Sequence, residues 1–163
     1  MAKEIKFGDE AREKMLKWMK TVSDTVSVTM WPKWRNVILE KTYWAPQVTN
    51  DGATIAREID LEDKFENMGA ELVKDAAEKT NTVAGDGTTT STLLTYALAK
   101  EWMRYIKTGV NAVELKNGMK QASMLVIDEL SKQSKTLSTK EEIAQVATIP
   151  AHDPQEWETI AEP

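Results

Sequence analysis

Met15, Met19, Val22 and Val26 recur at one-turn spacing along the first third of the chain. That spacing predicts a helix after Gly8, with Asp9 as its candidate cap. Ahead of it, residues 3–7 alternate charged and apolar side chains, the pattern of a short edge strand. Pro32 breaks the period within residues 29–36. Val37–Leu39 and Gln47–Thr49 flank the turn-like Trp44-Ala45-Pro46 and predict a hairpin, and Asn50-Asp51-Gly52 is a strong turn signal. Leu61, Phe65, Met68, Leu72 and Ala76 then fall on one helical stripe, with Glu62, Asp63, Glu71 and Lys74 outside it. Residues 84–90 interrupt. Leu94, Leu98, Trp102, Tyr105 and Ile106 define another amphipathic helix closed by Gly109. Asn111 and Glu114 resemble a capping box opening a helix through Leu130. Residues 131–140 are polar and Ser/Lys-rich, the best candidate boundary, and a short apolar stretch follows. The pattern stops in mid-course, as a truncated reading frame would. The class is mainly α with a few short strands, without an internal repeat.

A chain of 163 residues has the length of one domain, roughly 100–200 residues. Its 21 Lys and Arg against 26 Asp and Glu leave a net charge of −5, which argues against nucleic acid or an anionic membrane as the main partner. No run approaches the ~18 apolar residues of a membrane span, and charges throughout residues 1–20 leave no visible signal peptide. Cysteine is absent, which excludes disulfides and thiolate metal sites and fits a reducing, cytosolic setting. Six Trp against three Tyr and two Phe is an unusual balance.

Most chemical schemes lack parts. His152 is the single histidine and has no ligand cluster around it in sequence; such a residue is more often a satisfied or surface group than a catalyst. Zinc, Ser-His-Asp and Cys-His arrangements are incomplete. The carboxylates around residues 58–66 suit the solvated face and first turn of a helix. Gly85-Asp86-Gly87-Thr88-Thr89-Thr90 differs. Two glycines let backbone approach a ligand, and three hydroxyls follow at an expected helix N-terminus, where free amides and the dipole favour phosphate. Asp86 suits a Mg²⁺ shared with phosphate oxygens. The Gly-Lys-Ser/Thr ending of a Walker A loop is missing. From these residues alone, a phosphate site and a plain helix cap are equally good readings.

The whole chain breaks that tie. GDGTTT, with KFGDEAR at 6–12, WPKWRNVILEK at 31–41, APQVTNDGATIAREI at 45–59 and DLEDKFENMGAELVKDAA at 60–77, resembles the bacterial group I chaperonins, the GroEL family. The resemblance runs from the first residues to about position 160. It implies a double-ring ATPase that encloses and refolds other proteins. Residues 1–133 would be the N-terminal half of the equatorial, nucleotide-binding domain, and 134–163 the start of the intermediate domain. It also implies that Thr29, Met30, Trp31 and Pro32 form the first nucleotide-contacting loop. Asp86 would hold Mg²⁺, and Gly87, Thr88, Thr89 and Thr90 the phosphates. Asp51 would lie near the γ-phosphate and the attacking water, as the catalytic residue. Asn50 replaces a usual lysine beside it. The implied cofactors are ATP and Mg²⁺, with K⁺ as a further candidate. The implied partners are unfolded client proteins, identical subunits in a ring joined partly through the hairpin, and a co-chaperonin lid, in the cytoplasm. The remaining catalytic aspartate and adenine contacts of the family belong to later sequence. Wide apolar stripes that such later sequence would cover leave the chain alone aggregation-prone. The competing class is a non-enzymatic helical interaction module on the same scaffold, its nucleotide binding lost at Trp31 and Trp34.

The tryptophans bear on that choice. Trp18, Trp31, Trp34, Trp44, Trp102 and Trp157 all align with positions that are commonly glycine in the family. With glycine at about 7% of ordinary usage, six coincidences would have a probability on the order of 10⁻⁷. Core filling accounts for Trp18 and Trp102 only, and deliberate probes would hardly target six glycines. One cause covers all six: a UGA codon read as glycine in the source and printed as tryptophan. Residues 30–37 would then read MGPKGRNV, with the loop intact.

Overall fold

The computed structural model describes residues 5–30, 32–59 and 63–151, which divide into two compact units, 1–109 and 110–163. The first holds α1 (Gly8–Ser27), a hairpin of β1 (Val37–Leu39) and β2 (Gln47–Thr49), α2 (Gly52–Glu58), α3 (Lys64–Ala84) and α4 (Thr88–Lys107). The second holds α5 (Ala112–Gln133) and α6 (Lys140–Ala151). The mainly helical class with one small antiparallel sheet is as expected. The hairpin pairs Val37 with Thr49, Ile38 with Val48 and Leu39 with Gln47.

One apolar core fastens α1, α2 and α3, with Tyr96 and Ala99 of α4 packed against it. Met19, Val22 and Val26 of α1, Ile55 and Ala56 of α2, and Ala70 and Val73 of α3 are buried together. The α1 stripe therefore faces inward as its spacing requires. The larger stripes do not. On α3 the buried positions are Gly69, Ala70, Val73 and Ala77, while Met68 and Leu72 are half in solvent. On α4 they are Thr88 and Thr92, while Leu94 and Leu98 are exposed. The physical reason is closeness of approach. A Cβ on Gly69 would sit 2.2 Å from the Met15 carbonyl oxygen, so α1 and α3 cross almost backbone to backbone. Small residues permit that separation; Met68 and Leu72 on this face would force the helices apart.

Two local expectations are corrected. Asp9 is not the cap of α1: the N-cap position is Phe7, without a side-chain bond, and Asp9 lies in the first turn, paired with Arg12 at 3.0 Å. Gly8, at φ +74°, turns the chain into the helix one residue earlier than the pattern implies. Residues 5–7 form no strand, and residues 3 and 4 of the expected edge strand lie outside the described residues, as do Leu61 and His152. The apolar stretch after residue 140 is helical. Its start is a reciprocal cap: the Glu142 amide donates to Thr139 Oγ1 (3.1 Å), and the Ser138 amide donates to Glu142 Oε2 (2.9 Å). The Lys135 ammonium beside Glu142, with the Ser138 and Thr139 amides, lowers its carboxyl pKa. Residues 134–139 are the non-helical polar break between α5 and α6.

Trp18 is half-buried on α1, and its indole N–H is enclosed without a hydrogen-bond partner. Trp102 is half-buried, Trp44 is 83% exposed, and Trp31 and Trp157 lie outside the described residues. Among the described residues no helix is long and apolar enough to cross a membrane.

Candidate functional site

Helix starts decide where this fold can receive an anion, because the first amides of every helix need an acceptor. At α2 the Asp51 carboxylate supplies it, accepting from the amides of Ala53 (3.3 Å) and Thr54 (2.8 Å). At α3 Asp63 does the same for Phe65 (2.8 Å) and Glu66 (3.3 Å). At α5 Asn111 serves Val113 (2.8 Å) and Glu114 (3.3 Å). At α1 and at α4 no side chain does so, and α4 is the one of these two whose first turn lies against the Asp51 loop. The N-cap there is Gly87, and the first helical bond runs from the Ser91 amide to the Gly87 carbonyl (2.9 Å). The amides of Thr88, Thr89 and Thr90 precede it.

Two glycines shape the approach to that open end. Gly85 ends α3 in the left-handed region (φ +70°), its amide donating to the Asn81 carbonyl (2.8 Å). Gly87 follows at φ +81°. L-residues with side chains resist both conformations. Between them Asp86 is exposed, and one carboxylate oxygen accepts from the Gly87 amide at 2.6 Å. The hydroxyl-bearing residues then separate: Thr88 is buried, Thr89 half-buried and Thr90 exposed.

The second part of the site meets the first at Gly52. A Cβ there would lie 2.2 Å from Thr89 Oγ1 and 3.0 Å from Val26 Cγ1. Gly52 thus lets the last turn of α1, the start of α2 and the start of α4 converge, and it carries Asp51 to the junction. Burial pushes the Asp51 carboxyl up. The hydrogen bonds from Thr54 Oγ1 and from the amides of Thr54 and Ala53, with the Arg57 charge, outweigh it and leave the group below its ordinary value. It is a carboxylate at neutral pH, a strong hydrogen-bond acceptor and a weak base.

The 29–32 loop continues directly from α1. Thr29 is buried, and its hydroxyl donates to the Val26 carbonyl (2.8 Å), so the side chain finishes the helix. The Met30 carbonyl accepts the amides of Lys33 (2.9 Å) and Trp34 (3.1 Å), Pro32 is exposed, and Trp31 lies outside the described residues. Asn50 is half-buried beside Asp51. Trp34 is 64% exposed at φ +38°, the left-handed region. Among the described residues it is the one non-glycine there. A glycine would hold this backbone without strain.

Sequence reasoning named Asp51, Asp86 and the three threonines but missed Gly52 and Thr54. The signal for Thr54 was available: Asp-x-x-Thr places a hydroxyl at the third helical position, opposite the cap. Among the described residues no group of three or more His, Asp or Glu is placed to hold a metal ion. A cavity of about 230 Å³ on α2 and α3, lined chiefly by Ala53, Arg57, Glu71, Lys74, Asp75 and Glu78, contains none of the expected residues.

An open helix start, a neighbouring carboxylate and a glycine-rich approach thus meet at the first turn of α4. The TCP-1/cpn60 chaperonin family model matches residues 22–158, and the chain belongs to that family. Its fold is that of the chaperonin equatorial domain. A solved structure that shares it is the crystal structure of the chaperonin gp146 from bacteriophage EL 2 (Pseudomonas aeruginosa), determined in the presence of ATP-BeFx. The two superpose with a TM-score of 0.77 at 24% identity, over 95% of this chain. The chain spans 28% of the length of that chaperonin.

Proposed function

We propose that this chain supplies the N-terminal, nucleotide-binding region of an ATP-dependent folding chaperonin of the bacterial group I type. Residues 1–133 serve as equatorial domain and 134–163 open the intermediate domain. The observation that carries the reading is the uncapped start of α4. Its free amides suit a phosphate, and the Gly52–Thr89 contact brings the Asp51 loop against the same helix turn.

Each residue then has a task. The amides of Thr88, Thr89 and Thr90 hold phosphate oxygens, and the left-handed Gly85 and Gly87 keep the approach free of side chains. Asp86 is exposed and fits Mg²⁺, which when bound neutralises phosphate charge. The 29–32 loop closes the other side through its backbone, since the Thr29 hydroxyl is committed to Val26. Asn50 flanks it where K⁺ is a further candidate. Asp51 accepts a hydrogen bond from the attacking water and orients it. The ring of identical subunits, the unfolded clients, the co-chaperonin lid and the cytoplasmic setting belong to the same reading.

The competing interaction-module reading rests on Trp34, whose indole stands in a strained backbone next to the loop. Mg-ATP titration separates the two. In a chaperonin subunit with this N-terminal region, the all-Gly version (positions 18, 31, 34, 44, 102 and 157) binds and hydrolyses ATP, and the all-Trp version binds it weakly. Absence of binding in both versions would favour the interaction module.

A further inference from the structure

Thr54 has no place in the tasks above, yet it makes the shortest contact to Asp51. Its hydroxyl donates to Oδ2 at 2.5 Å, and its amide donates to the same oxygen at 2.8 Å. Among the described residues the other oxygen, Oδ1, receives only the Ala53 amide at 3.3 Å. One carboxylate oxygen is thus doubly engaged, and the other keeps an open lone pair.

Capping does not require this. A helix-capping aspartate needs the amides of the second and third helical residues, and both bonds would survive in a side chain without a hydroxyl. The Thr54 hydroxyl is therefore an addition to the cap. The surrounding backbone is held where Gly52 packs on Val26 and Thr89, and the two cap amides take one oxygen each, so the freedom left at Asp51 is a rocking of the carboxylate through the long Ala53 contact at 3.3 Å. Two donors from one residue onto one oxygen remove it.

We propose that Thr54 is the positioning residue for Asp51, engaging Oδ2 so that Oδ1 faces the water that attacks the terminal phosphate of a nucleoside triphosphate. The proposal rests on the ATPase reading above and assigns its orienting element. Water attacks phosphorus, the bond to the leaving nucleoside diphosphate oxygen breaks, and the water proton passes to the phosphate product. Asp51 acts by direction, and a fixed acceptor holds the water in line.

The test is steady-state ATP hydrolysis by a chaperonin subunit whose N-terminal region is this chain with glycine at the six tryptophan positions. Thr54→Val keeps the β-branched shape and loses the donor; Thr54→Ser restores it. A single hydrogen bond to a charged group predicts a kcat roughly tenfold lower in Thr54→Val. The KM for ATP stays unchanged, the thermal midpoint falls by only a few degrees, and Thr54→Ser lies near the parent in both kcat and midpoint. Asp51→Asn is the control. If it hydrolyses normally, the role of Asp51 itself falls, and the proposal with it. If Asp51→Asn is impaired but Thr54→Val keeps full kcat, only the Thr54 proposal is overturned. An equal defect in Thr54→Ser and Thr54→Val overturns it too, as does a Thr54→Val defect confined to thermal midpoint and KM.

Discussion

Gly69 and Gly52 are both buried, and each sits where helices come closest. At Gly69 a side chain would meet the Met15 carbonyl oxygen at 2.2 Å, with its carbonyl carbon and Cα at 2.9 Å. At Gly52 it would meet the end of a side chain, Thr89 Oγ1, at the same 2.2 Å. The distances match but the neighbours differ. A helix backbone cannot step aside without moving α1, whereas a hydroxyl can rotate. The α1–α3 crossing is a closed, structural contact, its helix start sealed by Asp63, whose other oxygen accepts from the Lys14 ammonium at 2.8 Å. The junction of α2 with α4 is adjustable, and its helix start is left open.

The largest effect separates the two regions by function. Asp86→Ala in the glycine-restored subunit should reduce ATP hydrolysis about a hundredfold or more, because phosphate charge loses its metal-holding carboxylate. Stability should not change, since Asp86 is exposed and, among the described residues, bonds only its neighbour's amide. Loss of both would mean that this loop is structural after all.

Stability separates them next. Gly69→Ala should destabilise the fold by about 3 kcal/mol in urea unfolding, at the upper end of overpacking costs. Gly52→Ala should cost less, about 1–2 kcal/mol, because Thr89 Oγ1 can turn aside while Val26 Cγ1 at 3.0 Å and Thr89 Cβ at 3.3 Å have to give by only a few tenths of an ångström. It should instead weaken ATP binding, the rotated hydroxyl having left its place. Similar destabilisation by both substitutions would erase the distinction.

Smaller still, Trp34→Gly should stabilise by about 1 kcal/mol, the cost of a left-handed backbone in a non-glycine residue. The smallest effect is electrostatic. The Lys14 ammonium, followed by the Glu66 and Phe65 amides, holds the Asp63 carboxyl down to about 2, against an ordinary 3.8. A depressed folded-state pKa contributes stability that is present above the ordinary value and lost as pH falls through the folded value. Asp63→Asn keeps a capping oxygen but no charge. Its thermal midpoint should lie slightly below the parent's at pH 6 and converge with it near pH 2.

The helices were legible where period and punctuation agreed. The α1 stripe of Met19, Val22 and Val26 is the buried stripe, and the Asn111 cap and the two hairpin strands are as the pattern implies. The inward faces of α3 and α4 were not legible, because the eye follows large residues and this core is closed by small ones. Helix α2 escaped notice because seven residues hold too few apolar positions for a period, and Asn50-Asp51-Gly52 reads equally well as a plain turn. Within the site, the Gly85–Thr90 loop announced itself through two adjacent local signals. The contact of Gly52 with Thr89 did not, since nothing local links residues so far apart in the chain.

The left-handed backbone at Trp34 also has a consequence for the laboratory. If the tryptophans are UGA codons that the source reads as glycine, an expression host using the standard code meets its first stop at position 18, inside α1. Such a host releases a short peptide that ends before Met19, Val22 and Val26, the part of α1 that enters the core. The gene then has to be resynthesised with GGN codons at six positions before any protein can be purified.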